Sequence, residues 1–345
     1  MEPIVRAVDV GYKNTKVAVS VAEEIQCKVF PSVAPVAADC ELSAAIGRKR
    51  NTAIVEADGI AYEVGPDARL AEKVMPAHHL DDRFALSPEY LALVRGALHL
   101  MHVDAIDLLV VGLPVSIFAL RKAELARRLL GEHPTPGGRV VVVREVKVLS
   151  QPHGALINYA LADGRIRAMR NQRNLIIDCG ARTFDWLVTQ GLKTMDQRSH
   201  ATNRGIYDAL HILAAEVGKH FNTQYQDYER LDLALRSRTQ LRVFGKEYDL
   251  TPHLPAAKKI AQEAVTELRR YVQDGSDIDN VILSGGAAFF FRDAIRSAFP
   301  HHDLQESDDG LYANVRGFAR LGVARMAPGD KAGSVGRGSR AAAEV

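Results

Sequence analysis

The chain has 345 residues, 47% of them apolar and 25% charged, the proportions of a globular protein rather than of a disordered or membrane-embedded one. Its 44 basic residues nearly balance 42 acidic ones, for a formal charge of +2, so neither nucleic acid nor an anionic membrane surface is demanded as the main partner. The three cysteines, Cys27, Cys40 and Cys179, have no paired or CxxC spacing, which argues against a disulfide framework or zinc site and for a reducing, cytoplasmic setting.

In chain order, residues 4–20 and about 25–36 read as strands, ended by Pro31 and Pro35. The first strand begins almost at once, leaving no room for a signal peptide. Residues from about 37 to 86 are short and mixed, with "NTAIVEADGIAYEVG" forming a hairpin at its DG turn, and read as a small inserted subdomain. A helix then starts with Ser87 as N-cap, Pro88 at the first helical position and Glu89 in the first turn. "LLVVGLPVSIFAL" from Leu108 is too short for a membrane span and contains Gly112 and Pro114, so it reads as a buried strand followed by a loop. Next come a helix "LRKAELARRLLG" closed by Gly131, one or two strands in "RVVVVREVKVLS", and a short helix "GALINYAL" ending near Gly164.

The second half restarts with a strand at 175–178 and a helix "GIYDALHILAAEVGKHF", then a polar stretch from about 222 to 252. In "AAKKIAQEAVTELRRYV", Ile260, Ala261, Ala264, Val265, Leu268, Tyr271 and Val272 share one helical face. "DNVILSGGAAFFFRDAIRSAF" gives a strand, a Gly-Gly turn and a helix, and a last helix covers about 315–326. The Gly-, Ser-, Ala- and Arg-rich tail at 327–345 reads as disordered. The alternation implies α/β layers in both halves.

One device occurs twice. "VRAVDVGYKNTKVAV" and "LIIDCGARTFDWLV" each run an apolar strand into Asp-x-Gly and leave through a second apolar strand, with Asp9 and Gly11 in the first, Asp178 and Gly180 in the second. Such a turn aims backbone N–H groups at an anion, while the strand-end carboxylate faces the same place and can hold Mg²⁺ through water. Taken alone, each copy is an ordinary turn and Lys16 a solvated strand residue. Together, one from each domain, two turns can close on a triphosphate. Between them Gln151 precedes a helix, and after them Gly285-Gly286 lets a backbone pass close to a ligand.

The order Asp9-x-Gly11 with Lys16, Gln151, Asp178-x-Gly180-x-x-Thr183-x-Asp185, then Gly285-Gly286, resembles the actin and heat-shock-chaperone ATPase superfamily over about residues 4–326. "VVGLPVSIF" and the overall length resemble plasmid-segregation actins of the ParM/StbA type, the actin-like D family of the PRTRC plasmid clusters being the nearest in pattern. "YANVRGFARLG" from Tyr312 resembles the second connecting segment. The resemblance implies two RNase H-like actin-type α/β domains around a central nucleotide cleft, with small inserted subdomains. The first covers 1–170, with its insertion at about 37–86. The second covers 171–326, with a helical insertion at about 203–275 and its last helix packing back on the first domain.

Position by position, the resemblance implies ATP and Mg²⁺ as cofactors. Asp9 would be the metal-side aspartate and Lys16 the β-phosphate lysine. Gly11, Tyr12, Lys13, Asn14 and Thr15 would form the first phosphate turn. Asp178 would position metal or the attacking water, and Gly180, Ala181, Arg182 and Thr183 would cradle phosphate. Gly285, Gly286 and Ala287 would lie against the adenosine, and Asn203, Gly205 and Asp208 near the ribose. The chaperones have Gly-Gly where Ala181-Arg182 stands; Arg182 either obstructs the turn or adds charge to it.

Gln151 takes the position of the residue that orients the attacking water. A neutral amide is a poor general base, so hydrolysis is favoured over kinase chemistry. The implied function is a slow ATPase forming nucleotide-dependent filaments for plasmid segregation, partnered by itself and by a DNA-binding adaptor on a centromere-like site, without membrane contact or direct nucleic-acid binding. The alternatives are a small-molecule kinase and a non-polymerising switch.

Other features carry less. His78-His79, His301-His302, and His99 with His102 lack HExxH or carboxylates at ligand spacing. No GxSxG, GxGxxG or GxxxxGK[ST] occurs. Phe289 to Phe291 read as core, and Arg48, Lys49 and Arg50 as a solvated turn.

Overall fold

The computed structural model describes residues 2–21, 24–38, 50–72, 82–161, 164–307 and 309–327. Cys40, Arg48, Lys49, His78, His79 and the tail beyond 327 therefore lie outside the described residues. The chain divides into two compact units: residues 1–171 with 191–193 and 312–345, and residues 172–190 with 194–311.

In the first unit, β1 (Val5–Val10), β2 (Asn14–Val21), β3 (Ile25–Pro31), β7 (Leu108–Leu113) and β10 (Val146–Ser150) form a sheet of order β10-β7-β1-β2-β3. The pairs β1–β2 and β2–β3 are antiparallel, β1–β7 and β7–β10 parallel. Strand alternation sorts the residues to two cores. Val8, Val10, Val17 and Val111 share one core with Leu93, Val94 and Leu98 of helix Pro88–Leu100, while Ala7, Ala18, Leu108 and Val110 share the other with Phe318 and Val315. Phe318 is wholly buried, worth about 1.5–3 kcal/mol as apolar transfer. Helices Gln151–Leu161 and Ala313–Met326 touch backbone to backbone; a Cβ on Gly154 would lie 2.4 Å from the Asn314 carbonyl oxygen. Thus the last helix in sequence belongs to the first unit, and it holds the helix that Gln151 begins.

Away from this sheet, β4 (Ala53–Ala57) and β5 (Ile60–Val64) make a hairpin turning at Asp58 (φ 51°) and Gly59 (φ 79°), the φ > 0 pair that a two-residue turn requires. A third sheet has the order β6-β9-β8, built from β6 (Ala105–Ile106), β9 (Arg139–Val143) and β8 (Gly131–Thr135).

The second unit repeats the plan. β11 (Arg173–Cys179) pairs antiparallel with β12 (Phe184–Gln190) and parallel with β17 (Asn280–Ser284), which pairs parallel with β18 (Leu304–Glu306). Short β13 (Lys193–Thr194) lies at the β12 end, and β14 (His200–Thr202) also pairs β12. Ile260, Ala261, Ala264, Val265, Leu268 and Val272 of helix Leu254–Val272 are buried, the face that the 3.6-residue period selects; Tyr271 is half-buried. Trp186 is fully buried against Phe184 and Tyr271, with its indole N–H donating to the Arg198 carbonyl.

Ser87 caps its helix, its hydroxyl accepting from the Tyr90 N–H at 3.2 Å. Three local expectations need correction. Residues after Pro114 form no loop: the helix runs Val115–Leu129, because Pro114 supplies the helix entry. Gly131 does not close that helix but opens β8, with φ 100°. The polar stretch 222–252 contains helix Tyr228–Ser237, capped by Asp227, and a hairpin of β15 (Leu241–Val243) and β16 (Lys246–Tyr248). No described helix is long and apolar enough to cross a membrane.

Candidate functional site

The first turn is closed by the Gly11 N–H donating to the Asn14 carbonyl at 3.1 Å, which puts Asp9 directly opposite Lys16 and Val10 opposite Thr15. Opposed residues project to the same side of a sheet, so Lys16 Nζ meets Asp9 Oδ2 at 2.7 Å. The other oxygen, Asp9 Oδ1, accepts from the Gln151 side-chain amide at 2.7 Å, across 142 residues of sequence. Asp9 is fully buried, so both partners offset a desolvation penalty of several kcal/mol.

Beneath the turn the Thr15 hydroxyl, also fully buried, pairs with Ser32 at 2.9 Å, and the Ser32 N–H donates to the Lys13 carbonyl. Thr15 therefore presents only backbone to the turn's mouth. Tyr12 stacks on Phe84 at 5.5 Å, and Phe84 meets Tyr90 edge-on.

The second turn has the same construction. The Gly180 N–H donates to the Thr183 carbonyl at 2.9 Å, Asp178 lies opposite Asp185, and Cys179 opposite Phe184. Asp185 thus stands where the first turn has Lys16. Asp178 and Asp185 are both buried, a pair of carboxylates in register. Burial, and then the charges of these two neighbours, push the Cys179 thiol up, which disfavours the thiolate.

Gly285 has φ 93°, and a Cβ there would sit 2.4 Å from the Cys179 carbonyl oxygen and 2.5 Å from Asp178 Oδ1. The Ala287 N–H donates to that same carbonyl at 2.9 Å. The Gly-Gly turn is thereby pressed onto the end of β11. Helix Ile206–Phe221, entered at Gly205, docks its first N–H groups on the second turn: Ile206 on the Gly180 carbonyl, Tyr207 on that of Ala181. Those N–H groups are consumed by protein and are not offered to an anion. Asp208, in the first turn of this helix, lies 3.8 Å from Arg204, and burial raises its carboxyl pKa. Asn203 is exposed and lines an open groove of about 850 Å³ with His200, Arg204, Lys259 and Glu263.

Among the described residues no group of three or more His, Cys, Asp or Glu forms a metal cage. Mg²⁺ generally takes one or two carboxylates and fills its remaining positions with water and phosphate oxygens. In the second unit Asp178, with Asp185 opposite, fits such a donor set; in the first unit Asp9 does so by itself only once Lys16 turns away from it.

The family models agree with this division of the chain. The N-terminal domain of actin-like proteins matches residues 7–154, and the C-terminal domain of archaeal MreB-like actin homologues matches residues 176–297. The chain belongs to the actin-like superfamily. Its two-unit α/β fold is that of actin homologues. An archaeal actin homologue solved with ADP has a TM-score of 0.71 and 21% identity, covering 92% of this chain and 98% of its own. A ParM filament of 15 strands from Clostridium botulinum gives 0.74 and 18%, covering 93% and 99%. The apo ParM of plasmid pSK41 gives 0.67 and 18%, covering 93% and 97%. No curated protein matches by sequence.

Within this actin-like chain, each structural unit gathers its own share of the sequence motifs: Asp9, Lys16 and Gln151 in one, Asp178, Gly180–Thr183 and Gly285–Ala287 in the other. Sequence reasoning placed Asp185 in the second phosphate hairpin through the D-x-G-x-x-T-x-D spacing but did not foresee it as a carboxylate in register with Asp178. It also read all three phenylalanines at 289–291 as core; Phe290 and Phe291 are buried, but Phe289 is half-buried with the Arg236 guanidinium 4.4 Å over its ring. Nothing local in the sequence signals that pairing.

Proposed function

We propose that this actin-like protein binds and hydrolyses ATP with Mg²⁺ and assembles into filaments that segregate plasmid DNA through a DNA-binding adaptor. The observation that supports it most is the repeated turn: in both units the same N–H to carbonyl bond follows an aspartate two residues before the glycine. The ADP bound by the archaeal homologue and the filament formed by the Clostridium botulinum ParM are in keeping with it.

On this reading, the backbone N–H groups of the Gly11–Thr15 and Gly180–Thr183 turns other than those of Gly11 and Gly180, which close the turns, bind phosphate oxygens. Lys16 exchanges Asp9 for a phosphate, a shift between two anions that needs only side-chain rotation. Gln151 keeps its amide N–H on Asp9 and offers its carbonyl oxygen to a water, which it orients without deprotonating. Mg²⁺, when bound, supplies charge neutralisation at the phosphates. Gly285–Ala287 lie against the nucleoside, with Asn203 and Asp208 at the sugar. Nucleotide that favours the polymerising conformation shifts the population toward it, and hydrolysis removes the bias.

The test is sedimentation and electron microscopy of the purified chain with and without ATP and Mg²⁺. Assembly is expected only with nucleotide; none at high protein concentration would sink the filament reading. Phosphate release should be lost in Asp178→Ala while the circular dichroism spectrum is kept. Unchanged turnover there would remove Asp178 from the site.

A further inference from the structure

Ser284 ends β17, directly beside Asp178 in the parallel β11–β17 register. It is 1% exposed, and its hydroxyl has no hydrogen-bond partner among the described residues. Leaving a buried hydroxyl unpaired is costly, and an alanine of nearly the same size would avoid the cost. The neighbouring backbone leaves no slack: Gly285, next in sequence, is packed directly against the Asp178 carboxylate and the Cys179 backbone.

The other unit shows what such a position can do. Extending the β1–β7 register by one residue sets Gly112 beside Asp9, as Ser284 is set beside Asp178. Gly112 has no side chain, and its space is shared by the Phe318 ring, 2.7 Å from where a Cβ would lie, and by Gln151, whose Cγ would lie 3.0 Å from it and whose amide donates to Asp9. Each aspartate therefore has a neutral donor near the matching position of its parallel neighbour strand: Gln151, reaching in from the start of its helix over Gly112, and Ser284, on β17 itself. In the first unit that donor is engaged; in the second it is unengaged.

We infer that Ser284 is a positioning residue: its hydroxyl donates to the Asp178 carboxylate, or to a water held by it, in the nucleotide-bound state. The hydroxyl's cost in the free protein is offset by the hydrogen bond it forms when nucleotide binds. This inference rests on the site assignment proposed above and adds a residue that no motif marks.

The experiment compares wild type, Ser284→Ala and Ser284→Cys by calorimetric titration with ADP, with and without MgCl₂, and by thermal unfolding without nucleotide. Ser284→Ala should keep or raise the nucleotide-free Tm, by about 2–12 °C where the full unpaired-hydroxyl cost is relieved. Its affinity for ADP with MgCl₂ should fall about three- to tenfold, the worth of one hydrogen bond. Ser284→Cys, of similar shape with a weak donor, should fall between. Wild-type affinity in both variants would overturn the inference, as would a Tm loss in Ser284→Ala without an affinity loss, which marks a structural hydroxyl. Failure of the wild type itself to bind ADP while folded would instead reject the site assignment, and Ser284 with it.

Discussion

Replacing Lys16 by methionine tests the first turn most directly. Lys16 is 11% and Asp9 0% exposed at the side chain, and their charged atoms are 2.7 Å apart. At an effective dielectric near 20 the gross attraction is about 6 kcal/mol, most of it offset by desolvation of the two ions. Removing only the lysine keeps the desolvation and loses the attraction. The buried carboxylate is left with the Gln151 amide alone, and the expected cost is about 3–5 kcal/mol. For a unit of this size that corresponds to a drop of roughly 6–20 °C in Tm. Far-UV circular dichroism follows the whole chain, while Trp186, the single tryptophan, reports the second unit. The transition seen by circular dichroism should fall further than that seen by Trp186 fluorescence. In Asp9→Asn/Lys16→Met both charges are gone, the Asn carbonyl still accepts from Gln151, and at least about 2 kcal/mol of the loss should return as coupling. A cost below about 1 kcal/mol for Lys16→Met, the value of a solvated surface pair, would refute the buried ion pair.

Gly285→Ala places a Cβ 2.4 Å from the Cys179 carbonyl oxygen at φ 93°, and should cost more than about 3 kcal/mol; an unmoved urea midpoint would mean the backbone does not approach there. Asp277 is held at a pKa of about 2, chiefly by hydrogen bonds from Arg198 and then Arg173, against 3.8 unperturbed. Because the folded value is depressed, its stabilisation is complete above about pH 4 and is lost as pH falls through 2. The shift alone implies at most about 2.4 kcal/mol, and with 38% of the side chain exposed, screening reduces it to about 1 kcal/mol. Asp277→Asn should therefore flatten the acid limb of the stability profile between pH 4 and 2. Phe244, at a hairpin tip with φ 50° and 73% exposed, is a bulky residue in the left-handed region whose ring meets Phe221 edge-on at 5.7 Å; Phe244→Asn should raise the Tm, and a fall would mean that the Phe221 contact outweighs the backbone strain.

Much of this protein is written locally. The hairpins around Gly11 and Gly180 follow from a few adjacent residues whose hydrogen bonds close within the turn. The Ser87 cap and the buried face of Leu254–Val272 are likewise short-range properties of spacing. Where a residue's neighbour is far along the chain, the sequence was silent or misleading. It displayed Gln151 as a helix-start residue, but only the β10-β7-β1 strand order brings its amide to Asp9. It showed three phenylalanines in a row, but only the helix at 228–237 decides that the first lies under an arginine. Ser284 stands next to the Gly-Gly pair without a role of its own in the sequence pattern, and becomes notable because β17 runs parallel beside β11 and its hydroxyl is buried there. Turn geometry and helical period are set by steric and hydrogen-bonding rules acting over a few residues, so they survive in the letters; which strands become neighbours is decided by the burial of whole faces at once, and only the folded chain records it.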